Sequence, residues 1–216
     1  MRTKEHHAFA LEGIFIVVIE FIVFFVFLSF HLYIIAGILF ITILFTFYFF
    51  RNPKRIIPSD SNLIVAPADG VVVDISEVKE RLFLKREVLK LSIFMSLFNA
   101  HINRFPIEGE VLDIHYNSGK FYPASREKSS LLNEQNGVFI KTKNDKRLVV
   151  VQIAGIIARR IVCYAKRTNI FKKGEIFGLI RFGSRVDVYM PFPVKINVKL
   201  GDRVRAGETI IGVIDE

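Results

Sequence analysis

The pair Gly183-Ser184, near the C-terminus, combines a hydroxyl nucleophile with an unhindered peptide carbonyl. A serine hydroxyl is a weak nucleophile until a neighbouring base removes its proton. Glycine places no side chain in the way of an attack on its carbonyl and tolerates strained turn geometry. A chain with 13 glycines holds about one Gly-Ser pair by chance, so the pair indicates self-cleavage only if its surroundings support that chemistry.

Two residues far upstream are candidates for the base. Asp69 precedes Gly70 in Pro-Ala-Asp-Gly, a pattern that is also typical of a simple turn. His101 is the second candidate, because an imidazole can both accept and donate a proton, although a hydrogen-bonded histidine at a strand end is the alternative. Planar guanidinium groups bind phosphate or carboxylate in a bidentate manner. The arginines considered for that role, each alternatively a structural or solvated charge, are Arg104, Arg159, Arg160 and Arg185.

The N-terminal segment, residues 8–50, consists almost entirely of Ile, Val, Leu and Phe. It is about twice the length of roughly 20 residues that crosses a bilayer, so it predicts a hairpin of two transmembrane helices, 8–28 and 32–50. A secretory signal peptide has a shorter apolar core and a small-residue cleavage site, and neither is present. Basic residues flank both ends of the hairpin, which favours a cell-membrane protein with its remaining domain on the cytoplasmic side. These flanking residues are Arg2, Lys4, Arg51, Lys54 and Arg55.

Beyond residue 55 the chain is predicted to be mainly β, because short β-rich runs alternate with turn residues. No long 3.6-residue periodicity interrupts these runs, although 96–102 or 155–159 could form a helical turn. The predicted strands are Gly70–Ile75, Val88–Phe94, Val111–Tyr116, Val138–Thr142, Arg147–Ile153, Arg160–Tyr164, Ile176–Phe182, Arg185–Met190 and Thr209–Ile214.

Two segments, 66–75 and 198–214, resemble parts of the biotinyl and lipoyl carrier domains, whose fold is the barrel-sandwich hybrid. Glycines supply the positive φ that the tight turns of such segments require. The expected fold class is therefore a mainly β, barrel-sandwich-hybrid-like soluble domain preceded by an α-helical transmembrane hairpin. The modifiable lysine of a carrier is not found at a matching place, and a membrane-anchored adaptor or carrier-like module without catalysis is the alternative function.

The chain is basic, with 30 Lys and Arg against 21 Asp and Glu. A basic domain that is anchored to a membrane suits anionic lipid headgroups. No zinc-finger spacing or ribonucleoprotein motif favours nucleic acid as a partner. The single cysteine, Cys163, can form no intrachain disulfide, which agrees with a reducing compartment. The oligomeric state is left open, and a homo-oligomer is compatible with the sequence.

Five segments, in order between residues 49 and 187, together resemble the phosphatidylserine decarboxylase family. The resemblance is to its short prokaryotic branch, which includes archaetidylserine decarboxylase-like proteins. The segments are 49–58 (Phe-Phe-Arg-Asn-Pro-Lys-Arg-Ile-Ile-Pro), 66–70 (Ala-Pro-Ala-Asp-Gly), 99–106 (Asn-Ala-His-Ile-Asn-Arg-Phe-Pro), 152–163 (from Gln-Ile-Ala-Gly to Ile-Val-Cys) and 174–187 (from Gly-Glu-Ile-Phe to Ser-Arg-Val-Asp).

The resemblance implies a proenzyme with a membrane anchor at 1–50 and a decarboxylase domain at 51–216. Self-cleavage between Gly183 and Ser184 would give a β chain, 1–183, and an α chain, 184–216. Ser184 would become a pyruvoyl group, which serves as the cofactor without any metal. The reaction implied is decarboxylation of a phosphoserine-headgroup lipid to the ethanolamine lipid. Whether that lipid carries ester-linked acyl or ether-linked isoprenoid chains stays open.

The resemblance also assigns roles to the candidate bases, with one departure. Asp69 matches the family's processing aspartate, and His101 matches the first histidine of a His-x-x-His-x-Pro pattern. The second histidine position is Arg104, which cannot act as a base because its pKa is too high. Either His101 serves both reactions, or Asp69 alone is the processing base. His115 lies in another family-like stretch and is a site residue of second rank.

A zinc peptidase of the lysostaphin type, which shares a related β architecture, is a further alternative. Its metal site needs a His-x-His pair and a His-x-x-x-Asp set. The chain contains neither spacing. The sequence therefore gives no support to a zinc site.

Overall fold

The structure is a computed structural model that describes residues 8–119, 133–155, 160–181 and 183–214. The chain divides into two units between Lys54 and Arg55. Over the described residues, the first unit is helical and the second is built from strands.

Two apolar helices form the first unit, α1 (Leu11–Ser29) and α2 (Tyr33–Phe49). Their faces are apolar all round, as expected of segments that do not bury one stripe against a soluble core. Thr46 Oγ1 donates a hydrogen bond to Glu20 Oε1 at 3.0 Å, so this acid of α1 has its partner within the hairpin. Among the described helices, α1 is long and apolar enough to cross a bilayer, and α2 is shorter at 17 residues.

Fourteen strands in three antiparallel sheets make up the described part of the second unit. They are β1 (Leu63–Val65), β2 (Gly70–Lys79), β3 (Glu87–Met95), β4 (Ile102–Arg104), β5 (Gly109–Asn117), β6 (Gln135–Lys141), β7 (Arg147–Ala154), β8 (Ile161–Cys163), β9 (Ile170–Phe171), β10 (Ile176–Ile180), β11 (Ser184–Met190), β12 (Val194–Ile196), β13 (Arg203–Val204) and β14 (Ile210–Ile214). All nine predicted strands are present. The sequence missed β1, β4, β9, β12 and β13, whose two or three residues are too few to show a period of two. Strand β8 is as short, with three residues, and was predicted because a longer β-rich run, 160–164, surrounds it.

The largest sheet curls around the core in the strand order β13-β2-β3-β11-β7-β6-β5-β9, which confirms the mainly β fold class. Strand β11 lies in its middle, between β3 and β7. Val186, Val188 and Met190 of β11 all point into the hydrophobic core. Because side chains alternate along a strand, Ser184 lies on the same inward face, and Arg185 lies on the outer face.

Two smaller sheets complete the domain, in the orders β4-β10-β8 and β1-β14-β12. Strand β10 ends at Ile180, four residues before Ser184, and therefore leads the chain directly to the candidate cleavage site. Strands β13 and β14 follow Ser184 and pair with β2 and β1, which precede it, and β12 pairs with β14. The described parts of residues 80–195 contain no helix, so they hold no long helical insertion of the kind that a membrane adaptor would need.

Gly178 of β10 allows three chain segments to pack closely, which makes its substitution a test of the fold. A Cβ at this position would lie 2.1 Å from Val162 O of the neighbouring β8 and 3.0 Å from the Gln152 side-chain nitrogen. We expect Gly178→Ala to lower the free energy of unfolding by about 2 kcal/mol or more, because a tightly packed site cannot absorb the added atom. Thermal melting of the full chain measures the effect.

Gly137→Ala is the matched control for this substitution. Its Cβ would first meet the edge of the Phe83 ring, at 3.1 Å, and a side-chain ring can shift where a backbone carbonyl cannot. Equal melting temperatures for the two variants would contradict the role given to Gly178.

Candidate functional site

The peptide bond between Gly183 and Ser184 lies at the entry to the central strand of the large sheet. Gly183 has φ +50°, in the left-handed region that favours glycine. A Cβ there would meet nothing within 4 Å, so backbone conformation rather than space explains the glycine. Ser184 is fully buried, and its backbone pairs with Met95 on one side and Ala154 on the other. Residue 184 is therefore held in place independently of its bond to Gly183.

The Ser184 hydroxyl donates a hydrogen bond to the Met95 sulfur, with 3.3 Å between Oγ and Sδ. A thioether is a weak acceptor and does not take up a proton at neutral pH. The described geometry therefore fixes the hydroxyl without activating it. Proton removal must be done by another group.

His101 lies beside the chain segment that leads to this bond. It directly precedes β4 and is 2% exposed, and its carbonyl accepts a hydrogen bond from the backbone N–H of Ile180. Its Nδ1 is 3.0 Å from the carbonyl oxygen of Asn99, which can only accept, so Nδ1 carries the proton. The neutral ring then has its lone pair on Nε2, which suits the role of a base.

Asp69 is bound to charged and backbone donors in a buried cluster. Its carboxylate accepts hydrogen bonds from the Arg55 guanidinium at 2.7 and 2.8 Å and from the backbone N–H of Ala206 at 2.8 Å. Arg55 also pairs with Glu208 at 3.5 Å. Asp69 therefore connects the start of the domain to residues 206–208, which follow the candidate cleavage site in the chain.

Arg104, which replaces the second histidine of the family pattern, is buried near the same cluster. Its guanidinium donates to the carbonyl oxygen of Gly174 at 3.0 Å. Burial and the nearby charge of Arg55 lower the pKa of Arg104 to about 10, against the opposing effect of Asp69 and Glu208. It is still charged at neutral pH. The structure thus gives it a buried position rather than that of a solvated surface charge.

The remaining sequence-predicted residues are not all on the face of Ser184. Arg185 forms a buried pair with Asp187, with Nε and Oδ1 2.9 Å apart, on the outer face of β11. His115 is exposed. It lies opposite Gly137 of β6, which lies opposite Val151 of β7, which in turn lies opposite Asp187 of β11, so the His115 side chain is on the same outer face as Asp187. Arg160 is exposed, and its carbonyl accepts from the backbone N–H of Arg181, just before the candidate bond. Arg159 lies outside the described residues.

Sequence reasoning did not single out a group of polar side chains that share the inward face with Ser184. Gln152, Asn136 and Asn103 are buried and hydrogen-bonded to one another. Glu134 lies two residues before Asn136 in the chain. Its carboxylate accepts a hydrogen bond from the Tyr116 hydroxyl at 2.9 Å, which raises the pKa of Tyr116. These side chains could have been found from the sequence by looking for a polar residue at an inward position of a strongly apolar strand, such as Gln152 in Val-Val-Val-Gln-Ile.

The described residues contain no group of three or more His, Cys, Asp or Glu side chains arranged to hold a metal ion. Cys163 is partly buried, and desolvation raises the pKa of its thiol, which does not favour a reactive thiolate.

Comparison with known proteins gives a consistent result. The model of the phosphatidylserine decarboxylase family matches residues 42–212. The phosphatidylserine decarboxylase proenzyme of Geotalea uraniireducens is 49% identical over 181 residues, which cover 84% of each chain. That of Geobacter sulfurreducens is 50% identical over 171 residues, 79% of this chain and 78% of the relative. The Desulfotalea psychrophila proenzyme is 47% identical over 170 residues, 79% of each chain.

Proposed function

Because the chain belongs to the phosphatidylserine decarboxylase family, we propose that it is a self-processing decarboxylase of a phosphatidylserine-like lipid. The observation that carries this proposal is the family match across residues 42–212, which includes Gly183 and Ser184. The geometry of the pair supports it: a glycine with positive φ precedes a buried serine that is held by two neighbouring strands.

The proposed maturation consists of three balanced steps. The Ser184 hydroxyl attacks the carbonyl carbon of Gly183, and its proton moves through a base to the amide nitrogen as the peptide bond becomes an ester. Loss of the α-proton of residue 184 then expels Gly183 as a free carboxylate and leaves a double bond. Addition of one water molecule and release of one ammonia molecule convert that residue into a pyruvoyl group. The products are the β chain, 1–183, and the α chain, 184–216.

The surroundings of residue 184 fit such a group. Conversion of serine to pyruvoyl adds no heavy atom to the buried site, and the carbonyl of the residue keeps its place in the strand. When present, the pyruvoyl group supplies a ketone that condenses with the headgroup amine and accepts the electrons released as CO₂ leaves. The buried position of residue 184 excludes bulk water from the reacting carbon.

His101 is proposed to move protons in both reactions, since the segment that leads to Ser184 packs against it and Nε2 is its basic nitrogen. Asp69 keeps the processing role that the resemblance implies. Its carboxylate already accepts three hydrogen bonds, from Arg55 and from the Ala206 N–H, which leaves about one acceptor position for a proton. Arg160 is the described arginine best placed for an anionic headgroup, because it is exposed and adjoins Arg181.

Cleavage is not expected to separate the two chains. The α chain supplies β11, whose neighbours β3 and β7 both belong to the β chain. Val186, Val188 and Met190 are fully buried, and burial of each such side chain contributes about 1.5–3 kcal/mol. The α and β chains therefore remain one folded domain.

The helical hairpin is proposed to anchor the enzyme in the cell membrane. Both of its ends carry basic residues, which favours the cytoplasmic side for the domain that follows. An anchored enzyme meets its lipid substrate without having to extract it from a distant membrane. The anchor at 1–50 and the decarboxylase domain at 51–216 form the proposed domain organisation.

Mass spectrometry of the purified full chain tests the cleavage. We expect a 33-residue fragment that begins at position 184 with a pyruvoyl group, together with the chain 1–183. Treatment with hydroxylamine should add mass to the 33-residue fragment alone, because it carries the ketone. A wild-type chain that stays intact after prolonged incubation in membranes would rule out the proposed maturation.

A further inference from the structure

The buried amides near Ser184 form one connected chain of hydrogen bonds. Asn136 Nδ2 donates to Gln152 Oε1 at 3.1 Å, and Gln152 Nε2 donates to Asn103 Oδ1 at 2.8 Å. Asn103 Nδ2 in turn lies 3.8 Å from Met95 Sδ, the atom that also accepts from Ser184 Oγ. All five side chains are buried, with at most 3% of any residue exposed. The chain of amides thus ends next to the side chain of residue 184.

A backbone carbonyl fixes the direction of this chain. Val162 O, which can only accept, lies 3.5 Å from the Gln152 amide and therefore faces its nitrogen. That nitrogen also meets Asn103, so Asn103 must turn its oxygen towards Gln152 and its N–H groups towards Met95. The absence of a side chain at Gly178 keeps room for this arrangement, because a Cβ there would approach both Val162 O and Gln152.

The donor at the end of the chain faces a poor acceptor. A thioether sulfur accepts hydrogen bonds weakly, and a buried amide N–H that lacks a good acceptor is costly. Ser184 Oγ and Asn103 Nδ2 approach the same sulfur atom, at 3.3 and 3.8 Å, so Oγ is an oxygen acceptor in the surroundings of this donor. Any step that places a stronger acceptor on that residue gains a hydrogen bond that the uncut chain lacks.

We propose that Asn103, oriented by Gln152 and Asn136, is a positioning residue that directs an amide N–H at Oγ of Ser184 during self-cleavage. This rests on the proposed function and adds to it a donor that the processing residues do not supply. As the hydroxyl loses its proton, Oγ gains negative charge and becomes a stronger acceptor, so the N–H stabilises the attacking oxygen. Oγ then leaves with the Gly183 carboxylate, so the proposed role of Asn103 ends with maturation.

The test compares three substitutions along the chain of amides in the full-length protein: Asn103→Leu, Gln152→Leu and Asn136→Leu. The half-time for appearance of the 33-residue fragment is expected to lengthen about tenfold for Asn103→Leu, less for Gln152→Leu and least for Asn136→Leu. A purely structural network predicts instead that cleavage follows the order of the melting temperatures, whichever residue is changed.

Steady-state kinetics of the fraction that does mature supply a second measurement. For Asn103→Leu we expect kcat to change much less than the cleavage half-time, because Oγ of residue 184 has left with Gly183 before turnover begins. A fall in kcat as large as the slowing of cleavage would indicate general damage to the site and would count against a role of Asn103 in self-cleavage.

The double variant Asn103→Leu, Gln152→Leu guards against misfolding, since removing both partners leaves neither of these two amides unpaired. A wild-type cleavage half-time in either the single or the double Asn103 variant would overturn the proposal for Asn103 while leaving the self-processing enzyme in place. Failure of the wild-type chain to cut would instead count against the proposed function.

Discussion

Replacing Ser184 with alanine is expected to leave a single uncut chain of 216 residues with no measurable decarboxylation of phosphatidylserine. Alanine lacks the oxygen that attacks the Gly183 carbonyl and cannot be converted into a ketone, so one missing atom accounts for both losses. The fall in activity should be on the order of 10⁴-fold or more, as for removal of other essential nucleophiles. Gel electrophoresis and release of labelled CO₂ measure the two effects.

Ser92→Ala is the control for this substitution. Ser92 is also a fully buried serine of the large sheet, in β3, but it pairs with Asp187 on the outer face. We expect its variant to cut normally, which separates the loss of the nucleophile from the loss of any buried hydroxyl. A 33-residue fragment from Ser184→Ala would show that the reaction starts elsewhere.

The second large effect is expected at Asp69, whose replacement by alanine should lower the free energy of unfolding by about 3–5 kcal/mol. The Arg55 side chain is only 8% exposed and would lose its shortest ion pair, and the Ala206 N–H would lose its acceptor. In a domain of this size such a change corresponds to a fall in melting temperature of about 10 °C. Thermal unfolding of the full chain measures it.

Two milder variants separate the structural role of Asp69 from its proposed role as a base. Asp69→Asn keeps an oxygen for the Ala206 N–H but no charge for Arg55, and Glu208→Gln removes the other carboxylate that pairs with Arg55. If Asp69 is the processing base, Asp69→Asn stays uncut while Glu208→Gln is cut. If both variants are cut at the wild-type rate, the cluster is structural, and His101 is left as the base.

The parts of the fold that follow from local patterns could be predicted from the sequence. The apolar helices and the nine predicted strands follow from composition and period over runs of five or more residues. The Gly183-Ser184 pair was recognisable because it and four other segments occur in the order that is typical of the phosphatidylserine decarboxylase family. The other five strands were missed, since their pairing depends on partners that are distant in the chain.

The surroundings of the site depend on strand register, which the sequence did not provide. Gln152 shares a face with Ser184 only because β7 pairs with β11 so that Val186 lies opposite Gln152. The bond between Asp69 and Ala206 joins positions 137 apart in the chain. The outward position of Arg185, in contrast, follows from its place next to Ser184 on one strand and could have been inferred from alternation.

The position of β11 has a consequence for the chain end that maturation would create. New termini usually fray, because nothing pairs with them on one or both sides. The end at residue 184 would instead be bracketed by Met95 and Ala154 in the middle of an eight-stranded sheet. The reactive group would thus lie at a chain terminus that is as rigid as a core residue. This terminus should become disordered only when the whole domain unfolds.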